Sequence, residues 1–256
     1  MSKDSEIAVS SRTFSGTAVL VEELTRHFSN VRFNKAEALA GETLAKFVGS
    51  AQALIVGLEN IGDSVLAQCP KLEIIAKYGV GLDNIDTEAC ERRGIKIGWS
   101  GGVNRLSVAE MALGFMLALS RNLFTGSLEL KRGVWNKNGG LQLSGRTVGI
   151  IGVGNIGKEV VRLLKPFGCR ILVNDIIDQS DYYRAEGLEE VSKEEIFSRA
   201  DFITLHVPLT SETRYMVNRE ALARMRPDAY LINTARGPLV DYSVLKDALR
   251  SQRIAG

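Results

Sequence analysis

The stretch VGIIGVGNIGKEVVRLLKPFGCRILVND, residues 148–175, decides the fold. It opens with an apolar, β-branched run at 148–151 that reads as a buried strand. Gly152, Gly154 and Gly157 follow in the G-x-G-x-x-G pattern, and a helix then sets Val160, Val161 and Leu164 on one face. The first glycine permits a tight turn, the second leaves room for a pyrophosphate against the backbone, and the third lets helix and strand pack closely. At the positive end of the helix dipole, the N–H groups of Asn155 and Ile156 are expected to meet the phosphates. A second strand at 170–174 ends in Asp175, where a carboxylate accepts hydrogen bonds from both hydroxyls of an adenosine ribose. Ile176, Ile177 and Asp178 come next instead of an arginine, so the pattern predicts NAD and not NADP.

Outward from this unit the chain keeps a βα rhythm. Toward the C-terminus, a strand at 201–204 runs into His206, Val207 and Pro208, and a strand at 229–232 runs into Asn233, Thr234, Ala235, Arg236 and Gly237. Helical patterns occupy 218–225 and 243–249. Toward the N-terminus, strands at 7–10, 31–33, 53–56, 72–77 and 95–97 alternate with helices at 19–28, 43–48 and 86–93. Such alternation argues for parallel βαβ units. The turn-rich segment SGGVN at 100–104 is taken as a junction. After it, Ser107 and Glu110 read as the capping box of a helix at 107–119. Val108, Met111, Ala112, Phe115 and Leu119 form its apolar stripe, for burial in a core or a subunit contact. Trp135 is expected to anchor the loop RGVWNKNGG at 132–140. The reading is an α/β protein of two doubly wound parallel-sheet domains, 1–104 and 105–256.

Composition narrows the function classes. With 32 basic and 30 acidic residues the formal net charge is +2, and the basic residues are scattered, which gives no electrostatic reason to expect nucleic acid or membrane binding. The N-terminus lacks an apolar signal core, and the longest apolar run is about half of the ~20 residues that span a bilayer. A cytoplasmic protein is expected. Cys69, Cys90 and Cys169 are few and unpaired by spacing, and with only His27 and His206 no metal site is expected. Lys77 reads as a strand-end lysine in solvent.

Three segments together resemble the D-isomer-specific 2-hydroxyacid dehydrogenase family, which includes phosphoglycerate dehydrogenases and glyoxylate/hydroxypyruvate reductases. They are YGVGLDNID at 78–86, the glycine-rich stretch at 148–175, and LHVPLTSETRYMVN with INTARGPLVD between 205 and 241. The resemblance implies a flavodoxin-like substrate domain followed by a Rossmann domain, a 2-hydroxy or 2-oxo acid as partner, and a homodimer. It further implies that Tyr78, Gly79, Val80 and Gly81 offer backbone N–H groups to the substrate carboxylate. Arg236 would bind that carboxylate and the oxygen on C2, and Thr234 and Ala235 would line the cofactor. His206, with Val207 and Pro208, is assigned to cofactor binding or packing and not to proton transfer. The loop Gly57, Leu58, Glu59 and Asn60 stands where phosphoglycerate enzymes tend to carry an arginine, which counts against a phosphorylated substrate. The family's catalytic glutamate and histidine lie beyond the NTARG segment and are not among these 256 residues. The Rossmann domain is therefore expected to be incomplete and turnover by these residues alone weak or absent. A non-catalytic NAD-binding regulator of the corepressor type stays open as the alternative.

Overall fold

The computed structural model describes residues 1–35, 38–137 and 139–256. The chain forms two compact units, Met1–Val103 and Asn104–Gly256. In the first, β1 (Glu6–Val9), β2 (Asn30–Phe33), β3 (Ala53–Val56), β4 (Ile74–Lys77) and β5 (Lys96–Gly98) make one sheet. All neighbours pair in parallel, in the order β2-β1-β3-β4-β5. This is the flavodoxin-like order, in which the winding reverses between β1 and β3. Successive strand residues point to opposite faces. Ile7, Val9, Ala53 and Ile55 accordingly enter one core, while Ala8, Leu54 and Val56 enter another with Leu44, Val48, Ile61 and Ile75. An apolar run buried on both faces is what a parallel sheet demands.

The second unit contains β6 (Thr147–Ile151), β7 (Arg170–Asn174), β8 (Glu189–Glu190), β9 (Phe202–Leu205) and β10 (Tyr230–Asn233). Their order is β10-β9-β6-β7-β8, again all parallel. The chain thus starts at the middle strand, adds β7 and β8 on one side, and then crosses to β9 and β10. That is the mononucleotide-binding order, reversing between β6 and β9. Gly149, at the centre of β6, lets the helix Lys193–Arg199 lie close, since a Cβ there would run into Ile196.

Several expectations need correction. The helix after the junction is Arg105–Ser120, with Asn104 at its N-cap, so Ser107 sits inside its first turn and caps nothing. Its buried residues are Ala109, Ala112, Met116 and Ser120, whereas Met111 is 54% exposed and Phe115 36%. The helix is apolar nearly all round, so periodicity does not select a face. The small alanines decide it, because they allow close approach to the helix Asn155–Leu164. A helix that the sequence reading passed over, Leu123–Lys131, follows Asn122, whose φ of 53° is left-handed. Trp135 is 77% exposed and anchors nothing. Its loop is tied instead at Gly140, whose close approach to the Ser120 carbonyl excludes a Cβ, and by the Leu141 N–H donating to that carbonyl at 2.6 Å. Asn138 of the same loop lies outside the described residues. Among the described residues no single helix is long and apolar enough to cross a membrane.

Candidate functional site

In the second unit the glycine turn leaves β6 at the point of reversal. Gly152 has φ +95°, and a Cβ on it would stand 2.7 Å from both C and O of His206, at the end of β9. Gly154, the N-cap of the helix Asn155–Leu164, opens on free space: nothing lies within 4 Å of where its Cβ would be. A Cβ on Gly157 would collide with the Gly152 carbonyl. Turn, opening and close packing are therefore three separate tasks. The helix is held by Val160, Val161 and Leu164, all buried, each contributing about 1.5–3 kcal/mol. The N–H groups of Asn155 and Ile156, in its first turn, have no acceptor within the helix.

Asp175 closes this corner. Its Oδ2 accepts from the Val153 N–H at 2.6 Å and its Oδ1 from the Ile177 N–H at 3.0 Å. The carboxylate is thus fixed beside the glycine turn, and each oxygen retains a lone pair for a further donor. Ile176 and Ile177 are exposed, and hydrogen bonds from Ser180 hold the Asp178 carboxyl below its ordinary value. An extra phosphate would meet two carboxylates and no described cation in this segment.

At the neighbouring strand end, His206 shares a 2.9 Å hydrogen bond between Nε2 and Thr204 Oγ1. Burial pushes its pKa down to about 4, so the imidazole is neutral at physiological pH. Its Nδ1 is buried without a partner, and so is Thr234 Oγ1, one residue past β10. Buried polar atoms ordinarily have partners, and two orphans on adjacent strand ends fit a site made for a polar ligand group. Val207 packs on the core and Pro208 accepts at its carbonyl from the Thr213 hydroxyl, 2.7 Å away. Asn233, which the sequence reading gave no role, folds the loop that follows. Its Oδ1 accepts from the Ala235 N–H at 3.0 Å and its Nδ2 donates to the Arg236 carbonyl at 2.8 Å. The available signal was the Asx-turn habit of an asparagine leaving a strand. Within this loop the Arg236 Nη1 donates to the Ala235 carbonyl at 3.0 Å.

The first unit places the loop 78–81 after β4. Gly79 has φ +144°, a conformation that L side chains rarely adopt. One of the expected donors is already engaged: the Tyr78 N–H donates to the Val56 carbonyl at 2.8 Å. The Trp99 indole donates to the Val80 carbonyl at 2.9 Å, and the Tyr78 ring meets Phe14 edge-on at 5.3 Å. Lys77 is not a solvent lysine. Its ammonium donates to the Gly57 carbonyl and, at 2.6 Å, to Asn84 Oδ1. Asn84 in turn donates to the Gly57 and Glu59 carbonyls, so the loops after β3 and β4 are locked together. Two residues later Asp86 caps the helix Thr87–Arg92 through the Ala89 N–H at 2.8 Å.

Residues 113–256 match the family model described as D-isomer specific 2-hydroxyacid dehydrogenase, NAD binding domain. The chain belongs to this dehydrogenase family. It is 39% identical over 223 residues to a D-3-phosphoglycerate dehydrogenase of Methanocaldococcus jannaschii, covering 86% of this chain and 43% of that protein. With a hydroxypyruvate reductase of Thermotoga maritima it shares 36% over 223 residues, 86% of this chain and 72% of the other. The fold is similar to that of a D-lactate dehydrogenase from Aquifex aeolicus solved with NAD and lactic acid, with a TM-score of 0.88 at 27% identity, covering 98% of this chain and 75% of the other. The chain thus spans under half the length of the first of these relatives. Within the family's NAD-binding domain, the open Gly154, the fixed Asp175 carboxylate and the two orphaned polar atoms are residues that fit NAD.

Proposed function

We propose that the protein is an NAD-dependent oxidoreductase of D-2-hydroxy acids and their 2-oxo counterparts, with residues 1–103 at the substrate end and 104–256 at the cofactor end. The observation that carries this reading is the company Arg236 keeps. A loop folded by Asn233 holds it at the same sheet edge as the glycine turn and Asp175. NAD supplies the hydride acceptor, and NADH the donor, for C2 of the substrate. The chain does the rest by binding and orientation. Asn155 and Ile156 N–H groups take the phosphates, and Asp175 takes the ribose hydroxyls. The planar guanidinium of Arg236 grips the substrate carboxylate and stabilises negative charge on the C2 oxygen. His206 is unsuited to take the hydroxyl proton, because a base with a pKa near 4 is a weak acceptor at neutral pH and its Nε2 is tied to Thr204.

Calorimetric titration with NADH and NADPH, followed by glyoxylate added to the NAD-loaded protein, tests the proposal. NADH is expected to bind at least about tenfold more tightly than NADPH. Asp175→Ala should weaken NADH by about ten- to a hundredfold, the worth of a charge-assisted hydrogen bond or two, and narrow the gap between the nucleotides. Tighter NADPH binding by the unsubstituted protein, or no glyoxylate binding, would sink the reading.

We also infer a homodimer through the second unit. Leu106, Met111 and Phe115 on one helix and Leu123, Phe124 and Leu128 on the next are exposed, an apolar surface of the kind that marks interfaces. A two-fold contact between two such surfaces closes on itself. Sedimentation should give a dimer at micromolar concentration and a monomer for Phe124→Glu combined with Leu128→Glu. A monomer without those changes would contradict the inference.

A further inference from the structure

Val153, between the first two glycines of the turn, is held from three directions. Its side chain is buried in the core cluster that also contains Val160, Leu164 and Tyr183. Its N–H donates to Asp175 Oδ2 at 2.6 Å. Its carbonyl accepts from the side-chain amide of Gln179, whose Nε2 lies 3.2 Å away and 26 residues further along the chain. Gln179 stands at the N-cap of the helix Ser180–Glu186, yet its side chain makes no cap bond there. Short polar side chains suit that task. The one before it takes part of the load, since Asp178 Oδ1 accepts from the Ser180 N–H at 3.0 Å. The longer glutamine side chain is left to reach away from its own helix to the glycine turn. The same helix is drawn toward the helix Asn155–Leu164 by the Lys158 ammonium, 4.7 Å over the Tyr182 ring, and its Glu186 pairs with Lys165.

A trans peptide is planar, so the C=O of Val153 and the N–H of Gly154 point in opposite directions. Whatever holds the Val153 carbonyl therefore aims the Gly154 N–H. That N–H finds no backbone acceptor among the described residues, and open space surrounds the position of a Gly154 Cβ. We infer that Gln179 is a positioning residue for the cofactor: by holding the Val153 carbonyl it aims the Gly154 N–H at the pyrophosphate, as a donor beside those of Asn155 and Ile156. The inference rests on the placement of NAD proposed above and adds to it a residue outside the glycine pattern. Asp175 and Gln179 divide the work. The Val153 N–H belongs to the Gly152–Val153 peptide and its carbonyl to the Val153–Gly154 peptide, so the two side chains fix two successive peptides. Glycine turns freely about φ. Without Gln179 the second peptide can rotate and present its carbonyl oxygen to the phosphates, whereas the bond sets the donor in place before the nucleotide arrives, which lowers the ordering cost of binding.

Adenosine, ADP and NADH, each titrated into the unsubstituted protein and into Gln179→Met, test this. Methionine keeps the length and the apolar stem of the side chain but has no N–H to donate. Adenosine reaches Asp175 without a phosphate, whereas ADP carries the pyrophosphate. The unsubstituted protein is expected to bind ADP at least about tenfold more tightly than adenosine. Gln179→Met should weaken ADP and NADH by about three- to tenfold, the worth of one hydrogen bond, and leave adenosine within about twofold. Retained adenosine binding also reports that the Asp175 corner of the variant is folded. Equal losses for adenosine and ADP would mean that Gln179 only braces the loop behind Asp175, and unchanged ADP affinity would mean that the Val153 carbonyl needs no such hold. Either result overturns the inference and leaves the NAD reading standing. If the unsubstituted protein binds ADP no more tightly than adenosine, the pyrophosphate does not lie at the glycine turn, and that placement falls together with the inference.

Discussion

Gly152→Ala is expected to destabilise the second unit by about 2–6 kcal/mol, whereas Gly154→Ala, two residues on, should leave stability nearly unchanged and weaken NAD binding at least about tenfold. The two positions differ in backbone and in surroundings. At Gly152 a φ of +95° is strained for any residue with a Cβ, a penalty of about 1–3 kcal/mol. The added methyl also meets His206 C and O at 2.7 Å, and overpacking against backbone that cannot yield adds about 1–3 kcal/mol. At Gly154 φ is −79° and no atom lies within 4 Å, so alanine is accommodated within about 0.5 kcal/mol. Its methyl, however, projects into the space where the phosphates approach the helix N-terminus. NADH affinity should fall at least about tenfold. Urea unfolding gives the first quantity and NADH titration the second. A Gly154→Ala protein that binds NADH normally would mean that the phosphates do not pass this glycine.

The strands that carry the fold were readable because parallel strands buried on both faces appear as unbroken apolar runs, as in Ala53–Val56 and Thr147–Ile151. Glu189–Glu190 was not readable. Two glutamates do not suggest a strand, and they hold an edge position through backbone pairing with β7 while Arg170 and Arg199 engage Glu189. Helix boundaries went astray where local chemistry pointed to the wrong residue. The S-x-x-E pattern at Ser107 and Glu110 lies inside a helix that has already begun, while a true capping box stands at Ser192 and Glu195, where none was expected. The helix Leu123–Lys131 has apolar residues on several faces and no side-chain cap, so neither periodicity nor an end signal marks it.

The candidate site divides along the same line. Gly152, Gly154, Gly157 and Asp175 lie within one βαβ unit, so their spacing in the chain fixes their spacing in space. The cluster in the first unit has no such local signature. Ser10 meets Glu59 across 49 residues and Asn84 meets Gly57 across 27, and only the parallel register of β1, β3 and β4 brings these loops to one edge. Lys77, expected in solvent, is held for that reason: the Gly57 carbonyl lies on the loop after β3 and Asn84 seven residues on in the loop after β4, and no residue pattern around Lys77 marks either contact.

Arg236→Gln is expected to weaken glyoxylate binding to the NAD-loaded protein by about thirty- to five-thousandfold, and Arg236→Lys by a smaller factor of about ten. Truncating one member of a hydrogen-bonded charge pair commonly costs about 2–5 kcal/mol, which corresponds to that first range. Lysine restores the charge as a point donor but not the planar fork that can hold a carboxylate and a neighbouring oxygen together. The gap between the two variants therefore measures geometry apart from charge. NAD affinity serves as the internal control. The loop's shape depends on the Asn233 side chain, which bonds the Arg236 carbonyl and the Ala235 N–H, so both variants should keep the loop and bind NAD within about threefold of the unsubstituted protein. Asn233→Ala should do the reverse of this control, freeing the Ala235 N–H and weakening NAD and glyoxylate together. If Arg236→Gln leaves glyoxylate affinity intact, the guanidinium does not hold the carboxylate, and the role proposed for Arg236 is wrong.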